Sequence, residues 1–185
     1  MGSEMCIRDR SKKQYHDAVL ALTQYPFDAL YFTGFKSLDD AQCALMGARA
    51  VYDGPVFISL APSGEGMFPG GRTLSEGVAL CDEYGADVIG VVSDAPAHVL
   101  VGFAKEMASA TDKPLLVDAS VRRKDRRQFE PTDENPYPTA DAVVELAVRL
   151  RAQGVQFLRA SGAATPAYTG ALLATVGGGD VVAPQ

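Results

Sequence analysis

Five short apolar runs of this chain contain or precede polar and ionisable residues, and these residues are the candidates for chemistry. They supply hydroxyl groups, carboxylates and one guanidinium: Thr33, Ser59, Ser93, Asp94, Asp118, Ser120, Arg159 and Ser161. Asp118 and Arg159 could neutralise each other as an ion pair, or could bind a small zwitterionic molecule between their opposite charges. The two histidines, His16 and His98, fall in predicted helices away from these residues, so no Ser-His-Asp arrangement can be built.

The elements that position these residues follow from the apolar runs. Runs this short, rich in β-branched and aromatic residues, are typical of strands buried on both faces of a sheet, at residues 29–32, 56–60, 88–92, 115–117 and 155–158. Helical patterns separate them at roughly 30-residue intervals, which matches βαβ units and requires parallel strands. The sequence therefore predicts an α/β fold, either a small doubly wound sheet or part of an eightfold barrel, with functional side chains at the carboxyl ends of the strands.

The composition narrows the class of protein. The chain has 185 residues, 47% of them hydrophobic, and a net charge of −6, which favour one globular domain and disfavour nucleic acid or an anionic membrane as partner. No apolar stretch is long enough to span a bilayer, and no glycine-rich nucleotide-binding motif follows any run. Three cysteines, Cys6, Cys43 and Cys81, show no metal-binding spacing, which indicates a reducing, cytoplasmic location.

The two ends of the chain differ from the rest. Residues 1–10 show neither a helical nor a strand period, and their Met-Cys-Ile-Arg-Asp-Arg string resembles translated sequencing-adaptor read-through. We therefore expect an artefactual or disordered leader there. Residues 11–176 are predicted to form the domain, and residues 177–185 a flexible, glycine-rich tail.

Several segments resemble one protein family in their order and spacing. Residues 71–77 read Gly-Arg-Thr-Leu-Ser-Glu-Gly, residues 85–93 read Gly-Ala-Asp-Val-Ile-Gly-Val-Val-Ser, and residues 159–166 end in Thr-Pro. Together with residues 28–44 and 135–145, they resemble the homocysteine S-methyltransferase family. The resemblance implies strands four to eight of an eightfold barrel and methyl transfer to the thiol of homocysteine, a step of methionine biosynthesis.

The resemblance also implies a zinc ion bound by three cysteine thiolates, and it aligns those cysteines with Ser93, Ser161 and Gly162. Neither a hydroxyl group nor a glycine replaces a thiolate as a zinc ligand, and Arg159 adds a permanent positive charge nearby. The glutamate that holds the substrate amino group in the family is replaced by Thr33. We therefore expect no cofactor in this chain, and predict a fragment or a domain that is inactive as a zinc enzyme.

A small amino acid is the candidate ligand, and Thr33, Ser59, Asp118 and Arg159 are the candidate substrate-binding residues. Five strands cannot close a barrel, so we expect a partner chain or additional amino-terminal strands to cover the two open sheet edges. Two alternatives stay open. One is a non-catalytic scaffold that binds a small acid or a partner protein. The other is an unrelated phosphate-binding βα enzyme that uses Arg72 or the basic cluster at residues 122–127.

Overall fold

Alternating strands and helices make up the chain in the computed structural model, which describes residues 2–122 and 137–177. The helices are α1 (Gly2–Leu22), α2 (Leu38–Arg49), α3 (Leu74–Glu83), α4 (Ala97–Ala110), α5 (Ala140–Ala152) and α6 (Pro166–Gly177). The strands are β1 (Leu30–Phe35), β2 (Val56–Leu60), β3 (Met67–Phe68), β4 (Arg72–Thr73), β5 (Val88–Ser93), β6 (Leu115–Val121) and β7 (Val155–Gly162). In the described part of the chain, none of the helices is long and apolar enough to cross a bilayer.

The main sheet has five strands in the order β1-β2-β5-β6-β7, and all four pairings are parallel. Each connection carries a helix, as parallel pairing requires. The predicted fold class is therefore confirmed as α/β with a partial barrel-type sheet. The sheet is not closed, since β1 and β7 form its two edges within the described residues.

Side chains from distant strands of the sheet touch, which shows that the sheet curls. Phe57 on β2 and Phe157 on β7 meet edge to face with ring centroids 5.1 Å apart, although β5 and β6 lie between their strands. The convex face carries the core: Ile58, Val91 and Val117 are almost fully buried and belong to one apolar cluster with residues of the helices. The concave face is open on one side, and Phe157 keeps 39% of its surface exposed.

Two strands continue beyond the ends that the apolar runs predict. The runs end at residues 117 and 158, but β6 continues to Val121 and β7 to Gly162, paired residue by residue from Leu116–Phe157 onward. Parallel hydrogen bonding carries both strands through these polar residues because the ladder involves only backbone groups. This extension places the polar strand ends side by side.

The structure of the first helix differs from what the sequence of the leader predicts. Residues 2–10 were predicted to lack regular structure, yet α1 begins at Gly2. No glycine or proline interrupts residues 4–22, and the helix packs closely along α2. A Cβ atom on Gly47 would lie 2.6 Å from the Lys12 carbonyl oxygen, so this close approach requires glycine. The predicted origin of the leader stays a prediction. The tail was predicted at residues 177–185; Gly177 is the last residue of α6, and residues 178–185 lie outside the described residues.

Residues 67–73 form a small hairpin between β2 and α3. Strands β3 and β4 pair antiparallel around a short turn at Pro69–Gly71. Thr73 then caps α3: its hydroxyl accepts from the Glu76 N–H while the Glu76 carboxylate accepts from the Thr73 N–H. Ser75, in the first turn of α3, donates its hydroxyl proton to Glu106 on α4.

The amino-terminal side of the sheet is held by Arg49, at the end of α2. Its guanidinium donates to the carbonyl oxygens of Gly85 and Gly54, and it pairs with the Asp87 carboxylate at 2.6 Å. Asp87 also accepts from the Val56 N–H at 2.8 Å. Burial acts to raise the pKa of Asp87, but these hydrogen bonds and the Arg49 charge outweigh it and lower that pKa. One side chain thereby joins the starts of β2 and β5 to α2.

The substitution Arg49→Ala should reduce the free energy of unfolding by about 2 kcal/mol, because it leaves carbonyl oxygens and a carboxylate without their donor. Urea denaturation followed by circular dichroism measures this loss. Lys13→Ala is the matched control, since Lys13 forms an exposed pair with Asp17 one turn further along α1. Equal midpoints for the two variants would contradict the role assigned to Arg49.

Candidate functional site

The concave face of the sheet, at the carboxyl ends of its strands, brings four of the predicted site residues together. Three hydroxyl groups on β1 and β2 form a chain. Ser59, which is fully buried, donates to the Thr33 hydroxyl oxygen at 3.0 Å and lies 3.1 Å from the Tyr31 hydroxyl. Since Ser59 has one proton, Tyr31 is the donor in the second contact. Thr33 is exposed, and its hydroxyl proton takes part in neither of these contacts, so it is available to a ligand.

A buried carboxylate and a guanidinium lie on the next two strands of the same face. Asp118 on β6 is 1% exposed and pairs in register with Arg159 on β7. Arg159 Nη1 lies 3.2 Å from Asp118 Oδ2, with the Arg159 side chain about half exposed. Within the described residues, neither carboxylate oxygen of Asp118 accepts a hydrogen bond of good geometry. Burial raises the pKa of Asp118, and the nearby Ser161 hydroxyl and the Arg159 charge offset only part of that rise.

Arg159 also connects the two edges of the sheet. Its guanidinium carbon lies 5.4 Å from the centre of the Tyr31 ring, which belongs to β1 at the opposite edge. Sequence reasoning missed Tyr31 because it lies within an apolar run. The available signal was its position two residues before Thr33, which puts both side chains on the same face of a strand. We call these five residues, Tyr31, Thr33, Ser59, Asp118 and Arg159, the mouth cluster.

The substitution Asp118→Asn should increase stability at neutral pH by about 1 kcal/mol, because it removes a buried charge whose desolvation Ser161 and Arg159 offset only in part. The raised pKa means that Asp118 favours the folded state when protonated, and that this contribution is lost as the pH rises through the folded-state value. The stability difference between variant and wild type should therefore grow from acidic to neutral pH.

Thermal unfolding across that pH range measures the difference between Asp118→Asn and wild type. Asp94→Asn is the matched control, since Asp94 pairs with Arg122 at 2.7 Å and is itself exposed. A variant at Asp118 that is less stable than wild type at neutral pH would show that the carboxylate is stabilised by its surroundings, contrary to this description.

The three positions that the resemblance aligns with zinc-binding cysteines do not converge. Ser93 pairs in register with Ala119, whereas Asp118 pairs with Val92, so Ser93 lies on the opposite face of the sheet from the mouth cluster. Ser161 lies on the concave face beside Asp118. Gly162 has a left-handed backbone with φ of +68°. Two hydroxyl groups and a glycine, with Arg159 close by, do not fit a zinc ion that binds thiolates.

The cysteines lie elsewhere. Cys43 is buried in α2, where its thiol donates to the Arg8 carbonyl oxygen at 3.6 Å, and Cys81 is buried in α3. Burial raises the pKa of Cys81 to about 12, so this thiol stays protonated at neutral pH. Across residues 2–122 and 137–177, no three histidine, cysteine, aspartate or glutamate side chains are grouped closely enough to hold a metal ion.

A cavity of about 430 Å³ lies on the convex side, between α4 and α5. Leu100, Val143 and Leu146 form much of its apolar wall, and Ser93 lies at its rim. Arg122 is the only member of the predicted basic cluster at 122–127 within the described residues, and it pairs with Asp94 at this rim. The other basic candidate, Arg72, lies 3.7 Å from the Asp39 carboxylate.

Comparisons with known proteins show where this fold occurs. No protein-family profile matches the chain, and no curated protein sequence matches it. The apo crystal structure of the homocysteine methyltransferase MmuM from Escherichia coli matches with a TM-score of 0.70 and 15% identity, over 91% of this chain and 57% of that chain. The metallated form matches with a TM-score of 0.65 and 15% identity, over 93% and 58% respectively.

The chain thus has the fold of part of these structures and spans less than two thirds of their length. At 15% identity, the likeness extends to the architecture and not to the residues of a site. The class of fold is accordingly that of a partial (β/α) barrel.

Proposed function

We propose that this chain is a homocysteine methyltransferase-like domain that binds a small amino acid at the mouth cluster. The shared architecture and the order of the sequence motifs support the family. The observation that carries the ligand is Asp118, a carboxylate that is 1% exposed, accepts no hydrogen bond of good geometry from the described residues and lies beside a half-exposed guanidinium. A buried carboxylate in this condition is costly to the folded protein, so a ligand that donates to it gains affinity.

The mouth cluster has the charges that an α-amino acid requires. The ammonium group of the ligand would donate to the Asp118 carboxylate, beside the 3.2 Å contact that Arg159 Nη1 makes with Asp118 Oδ2. The carboxylate of the ligand would accept from the exposed N–H groups of Arg159 and from the Thr33 hydroxyl. The aromatic pair of Phe57 and Phe157 provides an apolar surface on the same face, on which a thioether or thiol side chain could pack.

The same residues argue against zinc-supported methyl transfer by this chain. A free alkyl thiol has a pKa of roughly 8.5, so a bound homocysteine would be mostly protonated at neutral pH unless a neighbouring group lowers that value. The described residues of the mouth cluster include no thiolate ligands for zinc, and Asp118 has a raised pKa and a partner in Arg159. We therefore propose a domain that binds the amino acid and is inactive as a zinc enzyme.

Titration of the full chain with L-homocysteine and L-methionine by isothermal calorimetry should show binding that Arg159→Gln weakens by about tenfold or more, since a charge-assisted hydrogen bond pair is lost. Arg149→Gln is the matched control, because Arg149 is an exposed arginine on α5 outside the mouth. Binding of inorganic phosphate but of neither amino acid would favour the phosphate-binding alternative. Equal affinities for both arginine variants would contradict the proposed site.

We also propose that additional strands, from a partner chain or from further sequence, pair with the edges of the sheet. The matched solved structures extend well beyond the part that this chain spans, and β1 and β7 have free edges within the described residues. In the chain alone, amide hydrogen exchange should be faster at β1 and β7 than at the central strand β5. Equal protection of the edge and central strands would show that the edges are already covered.

A further inference from the structure

The Asp118 carboxylate is enclosed by its neighbours, so a ligand reaches it only if one of them moves. Asp118 is 1% exposed, and its register partners are Val92 on β5 and Arg159 on β7. Val92 is a short apolar residue within the sheet, whereas the Arg159 side chain is long, flexible and about half exposed. Arg159 is therefore the neighbour that can move away from the carboxylate.

The two charges at the mouth balance each other before a ligand binds. Asp118 and Arg159 carry opposite charges 3.2 Å apart, and the other three members of the mouth cluster contribute hydroxyl groups. A ligand with one positive and one negative group leaves this balance unchanged. A simple amine would add a second positive charge beside Arg159, and like charges repel strongly in a partly buried site.

The Tyr31 ring holds the guanidinium of Arg159 over the mouth. The guanidinium carbon lies 5.4 Å from the centre of this ring, and the Tyr31 hydroxyl is fixed by its 3.1 Å hydrogen bond to the buried Ser59. The ring gives Arg159 a contact that does not depend on Asp118. A guanidinium that leaves Asp118 is thus kept beside the place where a ligand binds, and a ligand carboxylate can become its new partner.

We infer that Arg159 occupies, in the ligand-free protein, the position of the positive group of the ligand, and that this makes the mouth selective for zwitterions. A cation at Asp118 must displace the guanidinium, and only a ligand with its own carboxylate gives the guanidinium a new partner. The mouth therefore rejects simple amines, which would leave Arg159 unpaired. This inference rests on the proposed function and adds the residue that determines which class of amino compound is accepted.

Three compounds with the same thioether side chain test this inference by isothermal calorimetry. L-Methionine carries both charges, 3-(methylthio)propylamine lacks the carboxylate, and 4-(methylthio)butanoate lacks the ammonium group. The unmodified chain should bind methionine about tenfold or more tighter than either of the other compounds, because only methionine leaves the charges of the mouth balanced.

The substitution Arg159→Gln should reverse this order. Methionine should bind more weakly, whereas the amine should bind about tenfold tighter than it binds to the unmodified chain, because no guanidinium competes with it for Asp118. Arg159→Lys keeps the positive charge and should keep the preference for methionine over the amine. A purely structural role of Arg159 would not produce this difference between the two variants. Arg149→Gln, on α5, is the matched control and should change neither affinity.

The substitution Asp118→Asn identifies the group that binds the amine. Combined with Arg159→Gln, it should remove the gain in amine affinity, because the carboxylate that attracts the ammonium group is then absent. Asp118→Asn alone is expected to stabilise the fold, so the double variant should melt no lower than Arg159→Gln alone. That melting temperature shows that the loss of amine binding is not caused by unfolding.

Equal affinity of the amine for the unmodified chain and for Arg159→Gln would overturn the inference, and so would a gain that persists in the double variant. An unmodified chain that binds methionine and the amine equally well would overturn it too, but would leave the proposed function intact. A chain that binds no amino acid, yet gains amine binding through Asp118 in Arg159→Gln, would refute the proposed function and support the inference.

Discussion

The curvature of the five-stranded sheet is the constraint on which the mouth depends. Asp118 and Arg159 are neighbours through strand pairing, but Tyr31 lies on the far edge and reaches Arg159 only because the sheet curls. The Phe57–Phe157 contact shows the same curvature on the same concave face. In a flat sheet, the Asp118 carboxylate would be open to water, and the Tyr31 ring would be separated from the Arg159 guanidinium. The local chemistry is thus a property of the shape of the whole sheet.

The Asp118–Arg159 ion pair contributes little to the stability of the fold, but it holds two opposite charges side by side at the mouth. Removing a carboxylate from water carries a desolvation cost that one guanidinium at 3.2 Å repays only in part, as the raised pKa of Asp118 shows. Such an arrangement is hard to explain as a contribution to stability, since an apolar residue of similar size would cost less. It is readily explained if a ligand completes the hydrogen bonding of Asp118, because binding then offsets the desolvation cost that the folded protein leaves uncompensated.

Much of the fold could be predicted from the sequence, because apolar runs and helix caps are local signals. Ser37 and Thr139 cap α2 and α5 as their residue types suggest, and the five predicted strands all form. Other features depend on tertiary structure. The polar ends of β6 and β7 are strands only because their backbone groups pair with each other. The hydroxyl of Ser75 bonds to Glu106, which is distant in sequence, while the local capping box centres on Thr73.

The sequence predicted four residues of the candidate site and, as one alternative, the Asp118–Arg159 ion pair, but not how the other side chains are arranged around it. Thr33, Ser59, Asp118 and Arg159 come together as strand-end reasoning suggests, since parallel strands present their carboxyl ends at one edge. Ser93 does not join them, because a strand end has two faces and the parity of Ser93 relative to its register partners determines which one it occupies. Tyr31 was missed because a tyrosine within an apolar run looks like core until the opposite edge of the sheet is known to lie beside it.

The Arg49 network has a consequence for how a protein of this kind can change over time. It joins α2, β2 and β5 at the amino-terminal side of the sheet, and it shares no residue with the mouth cluster at the other end. Substitutions at the mouth therefore need not weaken the scaffold. Such a division lets the residues at the mouth diverge while the fold that supports them is retained.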